Sequence, residues 1–181
     1  ITFNDIKNNA EIQTYVKRAD DILGILGYTD HSVGHTMKVG MTAAKILSEL
    51  GFSEREIELA KIAGYIHDIG NMINRKNHAE LGGILAFQLL SRLNMNPNEI
   101  AIIVGAIGNH DEDTGIAVSP ISAAIIIADK TDVRRSRVRN RDFTTFDIHD
   151  RVNYSVEKSE LTIDAKHKSI KLNMKIDTST C

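Results

Sequence analysis

Apolar positions recur near a 3.6-residue period along most of this chain and switch to a period of two at its end, which divides it into a helical body and a hairpin. From Asp5 to Leu26, Ile6, Ile12, Tyr15, Val16, Ala19, Leu23 and Leu26 define one amphipathic helix. Ser32 caps a second, running to Leu50 before Gly51. Met37, Met41, Ala44 and Leu47 on one side of it and Val39, Ala43, Ile46 and Leu50 on the other imply burial on two faces. Ser53-Glu54-Arg55-Glu56 is a capping box that opens a third helix to about Ile69. Gly70 to Asn77 is expected as a polar loop, and His78 starts a fourth helix to about Leu93. Asn96-Pro97 and Ser119-Pro120 put proline at the first position of a fifth helix, to about His110, and of a sixth, ending near Val133. A short seventh is expected around Phe146 to Tyr154. Then Leu161 and Ile163, and Ile170, Leu172, Met174 and Ile176, alternate with polar residues on either side of Ala165 to Ser169.

The expected fold is therefore mostly α, a bundle of about six to seven helices over residues 1–155, with a C-terminal β-hairpin extension over 156–181. No internal repeat or low-complexity linker interrupts it. The 181 residues suffice for one real core.

Composition narrows the partners. A net charge of -2 and a pI near 6.4 argue against general nucleic-acid binding. The apolar runs Ile100 to Ile107 and Ile121 to Ala128 fall far short of the ~20 residues that span a bilayer. The single cysteine, Cys181, forms no internal disulfide, which fits a reducing compartment, and with no leader pattern a cytoplasmic location is expected. The chain opens at Ile1 without a methionine, so both ends are read as open to truncation.

The chemistry lies in an ordered set of ligand-type residues. His35 falls in the first turns of helix two, His67 and Asp68 at the end of helix three, His78 at the start of helix four, His110 at the end of helix five and Asp129 inside helix six. Any one of these histidines alone would be read as a polar contact at a helix end. Together they let each helix deliver one or two groups to a common centre, as bundle-core metal sites do. Imidazole with carboxylate suits divalent first-row metals. Asp129 follows Ile125-Ile126-Ile127-Ala128, where an unpaired buried carboxylate would be costly.

From His31 to Arg137 this order resembles the HD superfamily of metal-dependent phosphohydrolases. His35-Thr36-Met37-Lys38-Val39 is similar to its opening element with Lys38 in the basic place, Ile66-His67-Asp68-Ile69-Gly70 to the doublet, and Ala128-Asp129 to the closing aspartate. His78-Ala79-Glu80-Leu81-Gly82-Gly83 and Ala106-Ile107-Gly108-Asn109-His110 resemble the binuclear branch that includes symmetrical dinucleoside tetraphosphate hydrolases. The Gly-Tyr-Pro element of cyclic-dinucleotide phosphodiesterases is not matched, since Gly115-Ile116-Ala117 stands there. Nor is the Glu-Asp pair of guanosine tetraphosphate hydrolases, where Asn71 to Arg75 stands.

The resemblance implies two divalent transition metals per chain (Fe, Mn, Co, Ni or Zn). Asp68 bridges them, His35, His67 and Asp129 hold one, and His78 and His110 hold the other. His67 and Asp68 are the catalytic pair, and a metal-activated water attacks phosphorus in a phosphoester or phosphoanhydride. Arg75, Lys76, Lys130, Arg134 and Arg135 are expected to bind substrate phosphate. The partner expected is a phosphorylated small molecule, a nucleotide above all; neither a membrane nor general nucleic acid is expected, and a homo-oligomer stays open. Two other readings stay open, a di-iron oxygenase using the same ligands and a non-catalytic HD signalling module. His31 is read as a helix-entry residue, His149 and His167 as surface residues, and Asp111, Glu112 and Asp113 as a solvated acidic loop.

Overall fold

The computed structural model describes residues 1–112 and 115–180. Asp113 of the acidic loop and the terminal Cys181 lie outside the described residues. The fold is mostly helical and ends in a two-stranded antiparallel hairpin. Its α-helices are α1 Phe3–Lys7, α2 Ala10–Ile25, α3 Val33–Glu49, α4 Glu54–Ile66, α5 His78–Arg92, α6 Pro97–Gly108, α7 Pro120–Thr131 and α8 Ile148–Ser155. The strands are β1 Val156–Asp164 and β2 Ser169–Ile176, paired from Val156 with Ile176 to Asp164 with Ser169.

The starts anticipated from capping residues are where the helices begin. Ser53 and Glu56 form the reciprocal capping box of α4, while Ser32, Asn96 and Ser119 cap α3, α6 and α7 through their side chains. The single first helix is corrected to two. Asn9 accepts from the amides of Glu11 and Ile12 and restarts the helix after Asn8, a break that the apolar period runs straight through. The expected polar loop after Ile69 is also corrected. Ile69–Met72 is a 3-10 turn whose Ile69, Gly70 and Asn71 are buried, so the loop narrows to the residues between it and α5.

Ile46, Leu47, Ile62, Ile66, Leu90, Ile103, Ile107 and Ile125 fill the centre of the bundle, all fully or almost fully buried. Each such side chain contributes about 1.5–3 kcal/mol of transfer free energy. Two glycine contacts bring the ligand-bearing helix ends together. A Cβ on Gly64 would sit 2.6 Å from the Cα of Gly40, so only a glycine pair lets α3 and α4 cross backbone to backbone. That crossing sets His35, five residues before Gly40, beside His67, three after Gly64. Any Cβ on Gly70 would collide with the His78 carbonyl, so glycine also lets the 3-10 turn press against the first turn of α5. The hairpin lies on the bundle through Leu161 and Ile163, with Ser159 donating to the Thr131 carbonyl.

A candidate metal centre

Six side chains from five helix ends meet in one place. His35 lies in the first turn of α3, His67 caps α4 and is followed by Asp68, His78 opens α5, His110 follows α6, and Asp129 lies in the last turn of α7. All four rings are buried. The sequence placed Asp129 in the interior, but its side chain keeps 18% of its surface and faces a cleft.

Each ring is held by its Nδ1. His67 donates to the Gly64 carbonyl at 2.8 Å, His110 to that of Ile107 at 2.7 Å, His78 to that of Arg75 at 3.1 Å, and His35 to the Asp132 carboxylate at 2.8 Å. Carbonyls and ionised carboxylates only accept, so each Nδ1 carries a proton and each ring, in its neutral form, turns an Nε2 lone pair inward. Those four lone pairs converge on Asp68. Its Oδ2 lies 3.7 Å from His35 Nε2 and 3.2 Å from His67 Nε2, and its Oδ1 lies 3.5 Å from His78 Nε2 and 3.8 Å from His110 Nε2. Asp129 Oδ1 closes the first pair, 3.2 Å from His35 and 3.8 Å from His67.

Acceptors facing acceptors at these distances need a proton or a metal cation between them. Among the described residues, His35 Nε2 and His67 Nε2 are buried without a hydrogen-bond partner. His78 Nε2 and His110 Nε2 face each other at 3.3 Å. The donor set thus fits divalent metal, with the tautomers already fixed by outer partners in the usual manner of metal-binding histidines. His35, His67 and Asp129 form one cluster of ligand atoms within reach of a single ion, and His67, Asp68 and His110 another.

Electrostatics point the same way. Burial alone would lower His67, but Asp68 and Asp129 outweigh it and raise it to about 9. Burial would raise Asp68 and Asp129, yet the neighbouring imidazoles hold both well below the usual carboxylate range. A metal entering this centre must displace the proton on His67. Affinity for Mn2+ is therefore expected to rise with pH up to about 9, by as much as about tenfold per unit from this one proton. Calorimetric titrations at pH 7, 8 and 9, in two buffers of different ionisation enthalpy, should show proton release on binding; a pH-independent affinity would contradict it.

The residues expected to bind phosphate divide. Arg75 borders both clefts beside the centre, Lys76 the larger, of about 710 Å³, and Lys130 the smaller, of about 380 Å³, next to Asp129. Arg134 and Arg135 are not brought there. Arg134 donates to Asp132 at 2.9 Å and to Ser136, while Arg135 donates to the Tyr154 carbonyl and to Asp177 at the end of the hairpin. Tyr28, His31 and His149 complete the cleft walls. His31 packs edge-on against His35, and burial lowers it to about 4. His149 is exposed, as expected of a surface residue, but it borders both clefts. Asp111 and Glu112 also face the larger cleft. A separate apolar groove of about 860 Å³ runs between α5 and α6, and none of these residues lines it.

Asp132 was not anticipated. Just after α7 and 1% exposed, it accepts from His35 Nδ1, from Lys38 Nζ at 2.8 Å and from Arg134. The signal lay in Lys38, a basic residue three positions after the first histidine whose counterion the sequence did not name.

A family model described as the HD domain matches residues 33–141. This chain belongs to the HD domain family. That span holds every member of the cluster. The uncharacterized protein MJ1020 of Methanocaldococcus jannaschii is 27% identical over 88% of this chain and 70% of its own length. Ribonuclease Y of Enterococcus faecalis is 28% identical over 70% of this chain, and the match spans only 24% of that longer protein. The crystal structure of a predicted HD superfamily hydrolase from an uncultured Thermotogales bacterium shares the fold, with a TM-score of 0.54, 24% identity and coverage of 68% of this chain and 67% of that one. No described helix is long and apolar enough to cross a membrane.

Proposed function

We propose that this HD domain is a metal-dependent phosphohydrolase that cleaves a phosphoester or phosphoanhydride of a small phosphorylated substrate, a nucleotide or dinucleoside polyphosphate. The observation that carries the reading is the division of Asp68, one carboxylate oxygen toward His35 and His67 and the other toward His78 and His110. A carboxylate so divided suits a bridge between two cations, with His35, His67 and Asp129 holding one and His78 and His110 the other. A divalent pair held there would supply Lewis acidity toward a phosphoryl group and make bound water more acidic.

The chain's own groups do the rest. Arg75, Lys76 and Lys130 border the clefts on either side of the centre and present donors to phosphate oxygens. Tyr28 offers an aromatic wall next to Arg75, whose guanidinium carbon lies 5.5 Å from its ring centre. Burial of the four imidazoles keeps bulk water from competing for their lone pairs.

The test is a phosphate-release screen on the Mn2+-, Fe2+- or Co2+-loaded protein under strict anaerobiosis, over nucleotides, dinucleoside polyphosphates and a short oligoribonucleotide. The last is included because ribonuclease Y is among the relatives. Turnover is expected without dioxygen, with the oxygen of labelled water on the phosphoryl product. An activity that requires dioxygen and carries its label into the product would instead favour a di-iron oxygenase built on the same ligands.

A further inference from the structure

Arg75 holds His78 at both ends of its ring. Its backbone carbonyl accepts from His78 Nδ1 at 3.1 Å, and its guanidinium NH1 donates to His78 Nε2 at 3.3 Å. Other contacts of that guanidinium are weaker: NH1 lies 3.4 Å from Asn71 Oδ1, and the group rests over the Tyr28 ring. An N–H donor and a metal ion cannot share one lone pair, and a positive guanidinium against His78 repels a divalent ion entering between His78 and His110. Among the described residues, no guanidinium donates to the inward nitrogen of His35 or His67, and both nitrogens are without a hydrogen-bond partner.

We propose that Arg75 is a guard on the second half of the centre, so that the two halves bind metal unequally and the second fills when an oxyanion draws Arg75 away. This rests on the two-cation reading above. A tetrahedral oxyanion gives the guanidinium fork a stronger, charge-assisted partner than an imidazole lone pair or a long contact to an amide oxygen. Arg75 borders both clefts, so an oxyanion in either can reach it. Linkage is reciprocal, and occupancy of the second half should in turn tighten oxyanion binding. A second cation would then be recruited together with the phosphate it acts on.

The test is titration of Mn2+ into the whole chain, followed by calorimetry and by electron paramagnetic resonance, which distinguishes isolated from paired Mn2+. The wild-type protein is expected to show one tight and one weak site, and sulfate should tighten the weak one. In Arg75→Ala the weak site should tighten at least about tenfold without sulfate, the tight site should stay unchanged, and the sulfate effect should vanish. Arg75→Gln, which loses the charge but keeps a donor, should fall between. Both variants retain the backbone carbonyl that fixes the His78 tautomer, so His78 stays oriented.

Two equally tight sites in the wild type, or a weak site indifferent to both substitutions, would overturn the guard while leaving the two-cation centre intact. A weak site insensitive to sulfate in the wild type would overturn its coupling to an oxyanion. Failure of wild type and variants alike to bind a second Mn2+ would overturn the two-cation reading itself, and the guard with it.

Discussion

Asp68→Ala is expected to abolish phosphohydrolase activity, by about a thousandfold or more, and to leave the protein unable to hold paired Mn2+. Among the described residues, Asp68 is the only carboxylate that reaches all four inward imidazoles. Its two oxygens stand within 3.8 Å of all four inward imidazole nitrogens, and its own position is fixed by Asn71 Nδ2, which donates to Oδ1 at 2.9 Å and to the backbone carbonyl at 3.0 Å. With the carboxylate gone, His35, His67 and Asp129 remain for one ion, but His78 and His110 are left as two neutral ligands without a counter-charge. The helices should persist, because the main-chain bond from the Asn71 amide to the Asp68 carbonyl, which shapes the 3-10 turn, does not need the side chain. Circular dichroism, Mn2+ content and anaerobic phosphate release together check this. His149 borders the clefts and is unsuitable as the control; His167, exposed at the hairpin turn and paired with Asp164, takes that place, and His167→Ala should leave activity unchanged. Wild-type turnover in Asp68→Ala would sink the assignment of the doublet.

Capping chemistry explains why so much of the bundle could be read from the chain. Ser32, Ser53 with Glu56, Asn96-Pro97 and Ser119-Pro120 act within one turn of themselves, so their signatures are local. The break at Asn8-Asn9 is local too, but the apolar positions on either side still face the same core and hide it. The 3-10 turn at Ile69–Met72 was hidden for another reason. Its burial depends on Gly70 meeting α5, a contact across the loop that no period records.

The candidate site divides along the same line. The histidines and Asp68 stood out because each sits near a helix end, and helix ends in a bundle converge, while Asp129 stood out as a carboxylate after an apolar run. What lay around them was less legible. A run of arginines after Asp129 reads equally well as a phosphate clamp or as a basic helix terminus facing its own dipole. In the fold Arg134 is taken up by Asp132, Arg135 by Asp177, Arg137 by the carbonyls of Asp30 and Asp132, and Arg139 by Asp20. All but the first and the Arg137–Asp132 bond tie segments far apart in sequence. His149 reaches the cleft because α8 folds back across it, and nothing near residue 149 announces that.

Asp132 should show the second large effect, and in a form that separates positioning from simple support. It is buried, it fixes the Nδ1 proton of His35 at 2.8 Å, and it gathers Lys38 and Arg134 within 2.9 Å, with Arg137 Nε at 4.0 Å. Burial would raise its pKa, but bonds from His35, Arg134 and Lys38 hold it well below the ordinary carboxylate range, so it is anionic at neutral pH. Asp132→Ala leaves several cations facing a cavity and frees the His35 ring. Lys38 and Arg134 can turn to solvent, so the stability loss should fall near the lower end for a broken buried pair, about 3 kcal/mol. Losing the outer partner of a metal-binding histidine typically costs about 10–100-fold in metal affinity, and that loss is expected here at the half held by His35 and His67. Asp132→Asn decides between the roles. Its amide oxygen can still accept from His35, so the ring keeps its orientation, but the negative charge that strengthens the imidazole as a donor to metal is gone. A purely structural Asp132 would give a destabilised Asn variant with wild-type Mn2+ affinity once folded. A positioning Asp132 gives a folded Asn variant whose tight Mn2+ site weakens while the half held by His78 and His110 keeps its affinity, and only the second outcome is compatible with the carboxylate acting through His35 on the metal.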